Sequence, residues 1–157
     1  MATINVSAGN EAVLVLGDSA ANANIAASAG LTVPSMTDIT VNNSTGVFRW
    51  KTLDSTAENA ATTPATNQIS LNVVVDDSAF FGSANADVVV DGGLFGASKD
   101  KTKVYFRVYF DGTTTGNRYL SGSGYISGLA LSVNPDAPLW VSPVTIEVDG
   151  DYTSGTV

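Results

Sequence analysis

The chain has 157 residues, 44% of them hydrophobic and 14% charged, a balance that fits one globular domain and excludes a disordered polyelectrolyte. Seven basic residues against fifteen acidic ones leave a net charge of −8, which argues against a surface built to grip phosphates. With no Cys and no His, disulfide frameworks, thiolate zinc sites, cysteine nucleophiles and imidazole bases are all excluded.

Met1-Ala-Thr-Ile-Asn-Val has no basic segment followed by an apolar run, so no secretory signal and no export are expected. Apolar runs such as Val88–Val90 are far shorter than the roughly 20 residues of a membrane helix, so no membrane partner is expected. Ala2–Val6 and Ala12–Leu16 read as strands. Ser19–Gly30, made of Ala, Asn, Ser and Gly with one Ile, reads as a flexible arm or a lateral loop.

Asp38–Asn42 alternates, with Ile39 and Val41 as the buried pair. Lys51–Asn67 is a Thr- and Ala-rich connection without regular patterning, longer than the ~12–15 residues above which unstructured loops are usually functional. Ile69, Leu71, Val73 and Val75 then alternate with Ser70, Asn72, Val74 and Asp76. Ser78 is placed to cap a short helix through Ala79–Asn85, and Gly92-Gly93 opposes a longer one.

Lys103–Asp111 is a half-buried strand, with Val104, Phe106, Val108 and Phe110 facing one way and Lys103, Tyr105, Arg107 and Tyr109 the other. After Asp111-Gly112 and a Thr-rich turn, Tyr119–Val133 returns as a hairpin partner, with Gly122, Gly124 and Gly128 allowing a bulge or a strong bend. Trp140–Asp149 places Val144, Ile146 and Val148 inward and Thr145, Glu147 and Asp149 outward, and Asp149-Gly150-Asp151 ends it. The fold class is therefore all-β with one short helix. No internal repeat is present at the periods of solenoids or propellers.

The carboxylate pair Asp76-Asp77 would point to opposite faces of a strand and so could not share a substrate; a strand end followed by a capping turn is the simpler reading. Asp149-Gly150-Asp151 lacks the further spaced acids of a calcium loop. The Gly122–Gly128 run is not G-x-G-x-x-G and sits inside a strand, which opposes a phosphate cradle. Asn5-Val-Ser7, Asn42-Asn-Ser44 and Asn43-Ser-Thr45 match the glycosylation acceptor pattern, accidental without export. No catalytic residue, metal ligand or cofactor is indicated. Lys99, Lys101, Lys103, Arg107 and Arg118 cluster in sequence, either as solvated strand edges or as a basic patch meeting an acidic patch of a neighbouring subunit.

The order of these elements carries a resemblance. Leu31-Thr-Val-Pro-Ser-Met-Thr-Asp-Ile-Thr-Val41, the long loop after it, the returning strand Asn67–Asp76, the helical stretch Asp77–Gly96, the aromatic hairpin Lys103–Val133 and the closing Pro138–Gly150 together resemble the tail tube proteins of long-tailed bacteriophages. The resemblance covers about residues 31–153 and rests on layout, because tube proteins have no invariant chemical motif.

It implies a single domain of two packed sheets and a short helix, a tail-tube-type β-sandwich whose inner sheets join into a ring-wide β-barrel, with subunits in six-fold rings. Residues 1–30 then match an N-terminal arm with strands, 51–67 a long loop reaching the next ring, and 151–157 a C-terminal arm. On that loop Lys51, Leu53, Asp54, Glu58, Thr62 and Pro64 are the candidate contacts. Expected partners are further copies of the chain and the tail initiator, tape measure and terminator proteins, with DNA as a cargo that does not stick. The implied location is the virion tail, assembled in the host cytoplasm. Unlike some tail tube proteins, the chain is expected to carry no appended immunoglobulin-like C-terminal domain.

Elementary physics points the same way. Open strands expose unpaired backbone groups that copies of one chain can satisfy mutually. Six copies at −8 each give −48 per ring, and an acidic inner wall would repel phosphate. Asp38, Asp76, Glu147 and Asp149 are the candidate lumen acids. The competing classes are a carbohydrate-binding or adhesion β-sandwich, for which Trp50, Trp140 and five Tyr could supply stacking surfaces, and a capsid decoration protein.

Overall fold

The structure, a computed structural model, describes residues 12–27, 30–82 and 92–157. The expected strand Ala2–Val6, the end of the expected helix at 83–85 and the run Val88–Val90 lie outside those residues. The strands are β1 (Val13–Gly17), β2 (Leu31–Thr32), β3 (Met36–Trp50), β4 (Asn59–Val74), β5 (Val104–Tyr109), β6 (Arg118–Leu129), β7 (Ser132–Asn134), β8 (Ala137–Val148) and β9 (Thr153–Thr156). Among the described residues, two short helices, α1 (Asp77–Phe81) and α2 (Gly93–Lys99), lie between β4 and β5, where the sequence predicts one.

All nine strands of the described residues join one antiparallel sheet in the order β2-β1-β5-β6-β8-β4-β3, with β7 added to β8 and β9 to β6. The two separate sheets implied by the resemblance are thus one continuous sheet. Its apolar face is built by period-two alternation: Ile69 pairs with Ile146, Leu71 with Val144, Leu14 with Val108 and Leu16 with Phe106, and all eight are buried. Full burial of each such side chain contributes about 2 kcal/mol. Phe80 from α1 and Leu94 and Ala97 from α2 complete the same core.

Tyr152 shows how the sheet bends. Its ring meets Phe106 of β5 edge-on at 6.2 Å, while its hydroxyl donates to the carbonyls of Asn42 in β3 and Gln68 in β4 (2.8 and 3.2 Å). The strand order separates β5 from β4 by β6 and β8, so the sheet curls until its apolar face closes on itself. The close approach of β6 to β8 depends on Gly124, because a Cβ there would overlap the Glu147 carbonyl oxygen. A register shift between Ile126 and Gly128 supplies the bulge expected in this glycine-rich strand.

Ser19–Gly30, read as an arm or lateral loop, instead packs through its described residues on the outer face of β5. The Ile25 amide donates to the Tyr109 hydroxyl, which donates to Asn24 Oδ1, both at 3.3 Å; Ala23 and Tyr109 are buried. The expected C-terminal arm also folds back, as β9 on β6, with Val157 and Gly116 or Asn117 joined by backbone hydrogen bonds.

Candidate functional site

The largest unpartnered feature among the described residues is the β3–β4 hairpin. Its base is held on both sides, since Gln68–Val74 pairs with β3 and with β8. Its outer half, Asn43–Trp50 against Asn59–Asn67, pairs only with itself. At ~3.3 Å per residue it projects roughly 25 Å beyond the body. This corrects the loop expected over 51–67: residues 59–67 are strand, and the connection is Lys51–Glu58. Pro64 stands where the register shifts between Thr45 and Val47, a place that tolerates a missing ladder donor.

Lys51, Leu53 and Asp54 lie in the connection, Glu58 at its end, and Thr62 opposite Val47. The Thr52 hydroxyl and the backbone amide of Asp54 hold that carboxyl below its usual range. Glu58 approaches Arg49 at 3.9 Å with both side chains largely in solvent. Phe48 and Trp50 stack at 5.8 Å and stay exposed, and Val47 and Leu53 are also exposed. The sequence reading missed this aromatic tip, although Val47-Phe-Arg-Trp50 is itself a strand-like signal ahead of the loop.

The four candidate lumen acids separate. Asp38 and Glu147 share the polar, solvent-facing side of β3, β4 and β8, together with Thr40, Asn42, Gln68, Ser70, Asn72 and Thr145. Asn72 Nδ2 donates to Asp38 at 2.8 and 3.0 Å, and Gln68 Nε2 donates to Glu147 at 2.7 Å. These amides hold both carboxylates in place without cancelling their charge.

Asp76 is not an outward strand residue. It is the N-cap of α1, accepting from the amides of Ser78 and Ala79 at 3.1 Å, so the cap lies two residues before the expected Ser78. The Ser78 hydroxyl, then the Ala79 amide, lower its pKa. Asp149 is ion-paired with Lys103 at 2.7 Å.

The candidate basic residues form no single patch. Lys103 is engaged with Asp149, and Arg107 lies over the Tyr119 ring at 4.2 Å. Lys99 and Lys101 are exposed around the end of α2. Arg118 lies at the other end of the β5–β6 pair, because Tyr109 pairs with Tyr119 there and Val104 with Gly124 at the near end. Trp50 and Trp140 are 40% and 53% exposed, so neither is a core residue. No cluster of three metal-ligating side chains occurs among the described residues, and none of their helices is long and apolar enough to cross a membrane.

A second exposed apolar surface is the β7–β8 hairpin, where Leu131, Val133, Leu139, Trp140 and Val141 are all exposed. It projects from the opposite end of the sheet. Along β4, Gln68 pairs with Glu147 near the long hairpin, Val74 pairs with Val141 at the far end, and β8 runs on from there to Ala137.

No protein-family model matches the chain, and no curated protein matches it in sequence. Solved structures do match in fold. The tail of an empty gene transfer agent particle, determined with helical refinement and C6 symmetry, superposes with a TM-score of 0.66 at 12% identity over 94% of this chain and 98% of that one. The virion of a native gene transfer agent particle gives 0.62 at 11% over 96% and 99%. The SPP1 tail tube, determined by solid-state NMR and cryo-electron microscopy, gives 0.67 at 10% over 97% and 80%. The chain has the fold of tail-tube subunits.

Proposed function

We propose that the chain is a structural virion protein that polymerises into stacked rings of six, forming a phage-type tail tube through which DNA is ejected. The observation that carries this reading is the β3–β4 hairpin, whose outer half is ordered as strand yet has two open edges and an exposed Phe48–Trp50 stack. Such an element aggregates unless it has a partner, and a second copy supplies matching backbone groups. Asp38 and Glu147 then face the channel and keep its wall negative. Tail initiator, tape measure and terminator proteins would be its other partners, assembled with it in the host cytoplasm.

The sugar-binding alternative is weakened by the two Trp residues lying on hairpins at opposite ends of the sheet, where they cannot form one stacking platform. The test replaces residues 46–64 with Asn-Gly, joining the paired residues Thr45 and Ala65 through a two-residue turn. The shortened chain should keep a β-rich circular dichroism spectrum and fail to form tubes by negative-stain microscopy. Normal tubes from that variant would overturn the hairpin's role.

A further inference from the structure

Resting on the tube reading above, we infer that the tip of the β3–β4 hairpin docks on the β7–β8 hairpin of a second copy, so that Phe48 and Trp50 of one subunit cover the cross-strand pair Val133 and Trp140 of the next. Two observations and one symmetry argument converge on this occupant. The two surfaces are both apolar and exposed. They lie at opposite ends of the same sheet, as fixed by the pairing of Gln68 with Glu147 and Val74 with Val141. A contact between different patches on identical subunits repeats without limit when one copy is displaced along the strand direction, which is the requirement for stacking. Patches at the same end would instead close a pair.

Charge does not oppose this register. Asp136 is the one ionisable residue between Ala130 and Ser142, so the β7–β8 hairpin is locally acidic. The opposing tip carries Arg49 and Lys51 beside Asp54 and Glu58, with Arg49 facing Glu58 at 3.9 Å, so it is neutral overall and sets no net negative charge against Asp136. A displaced copy that brings Lys51 toward Asp136 at the rim of the apolar contact sets register more than affinity. The aromatic side chains at the centre supply the attraction.

Because the chain has no Cys, single cysteines report contacts without background. Phe48→Cys and Trp140→Cys subunits carrying different tags are mixed, polymerised and mildly oxidised, with Phe95→Cys, also exposed, as the comparison position. The expected product is a disulfide-linked pair of one Phe48→Cys and one Trp140→Cys subunit, at least tenfold more abundant than any pair involving Phe95→Cys. Separately, Trp140→Lys should keep the wild-type circular dichroism spectrum while raising the concentration needed for tubes at least tenfold. Tubes that form without the 48–140 link, or form normally with Trp140→Lys, would overturn this docking while leaving the tube reading intact. Wild-type protein that never forms tubes, even when seeded with a tail initiator complex, would bring down both.

Discussion

Lys103 and Asp149 are 46 residues apart in sequence and 2.7 Å apart in space, because β5, β6 and β8 are successive strands of the sheet. The pair removes one cation from the candidate contact surface and one acid from the candidate lumen wall. The Asp149 hydrogen bond raises the pKa of the lysine. A raised lysine pKa contributes stability below the unfolded value, and that contribution disappears only as pH rises through the folded one. It is therefore fully present at neutral pH. Both side chains remain well exposed, so solvent screens the pair. Lys103→Met should shift the melting temperature by less than about 2 °C at pH 7, measured calorimetrically. A larger loss would make the pair a structural clamp.

Asp76 gives the opposite pH dependence. Its depressed pKa means that the charged cap stabilises α1 above the unfolded carboxylate value, and that this stability is lost as pH falls through the lower folded value. Asp76→Ala should lower the melting temperature by a few degrees at pH 7, and Asp76→Ser should retain most of it, since a serine hydroxyl also accepts from the first-turn amides. Once the pH has fallen below the lowered folded value, the wild type and the alanine variant should converge. Melting curves from pH 2 to 7 decide this; a constant gap would mean that the loss is steric rather than a loss of the charged cap.

Tyr152 holds the curl of the sheet by its hydroxyl as well as its ring. Tyr152→Phe removes the donor to the Asn42 and Gln68 carbonyls and keeps the edge contact with Phe106. The expected cost is about 1 kcal/mol by urea denaturation, with Tyr152→Leu costing more because the aromatic contact also goes. A Tyr152→Phe variant as stable as the wild type would show that the hydroxyl contributes nothing, and equal losses from the two substitutions would show the same of the ring contact.

How much of this was legible depended on whether a segment packs against the body. The Lys103–Asp111 and Trp140–Asp149 strands appear as β5 and β8, because one face of each lies in the core and imposes alternation on the sequence. Residues 59–64 carry no such alternation because that part of the outer hairpin is exposed on both faces, so its strands are invisible to a search for buried periodicity. The described part of Ser19–Gly30 was unreadable for a related reason: small residues there cover Tyr109 without forming a regular element. Among the acids, alternation placed Asp38 and Glu147 on the polar face, but the partner of Asp149 depended on strand order, which local patterning does not contain.

The sharpest test of the channel assignment follows from that separation of the acids. Asp38 and Glu147 sit on one polar face held by Asn72 and Gln68, whereas Asp149 is already neutralised by Lys103. If this face lines the channel, Asp38→Lys with Glu147→Lys changes the wall by four charges per subunit, whereas Asp149→Asn changes it by one. Both sites are in solvent at least in part, so the lysines can be accommodated without burying charge. Each phosphate then met by a lysine releases counterions, which makes DNA adhere at low salt and slide again at high salt. Particles built with the double variant should eject DNA at least tenfold more slowly in low salt than wild type and recover in high salt, while Asp149→Asn particles should differ little from wild type. The readout is the ejection rate from particles shown by mass spectrometry to carry the substitutions. Unchanged low-salt ejection by the double variant would place this face outside the channel.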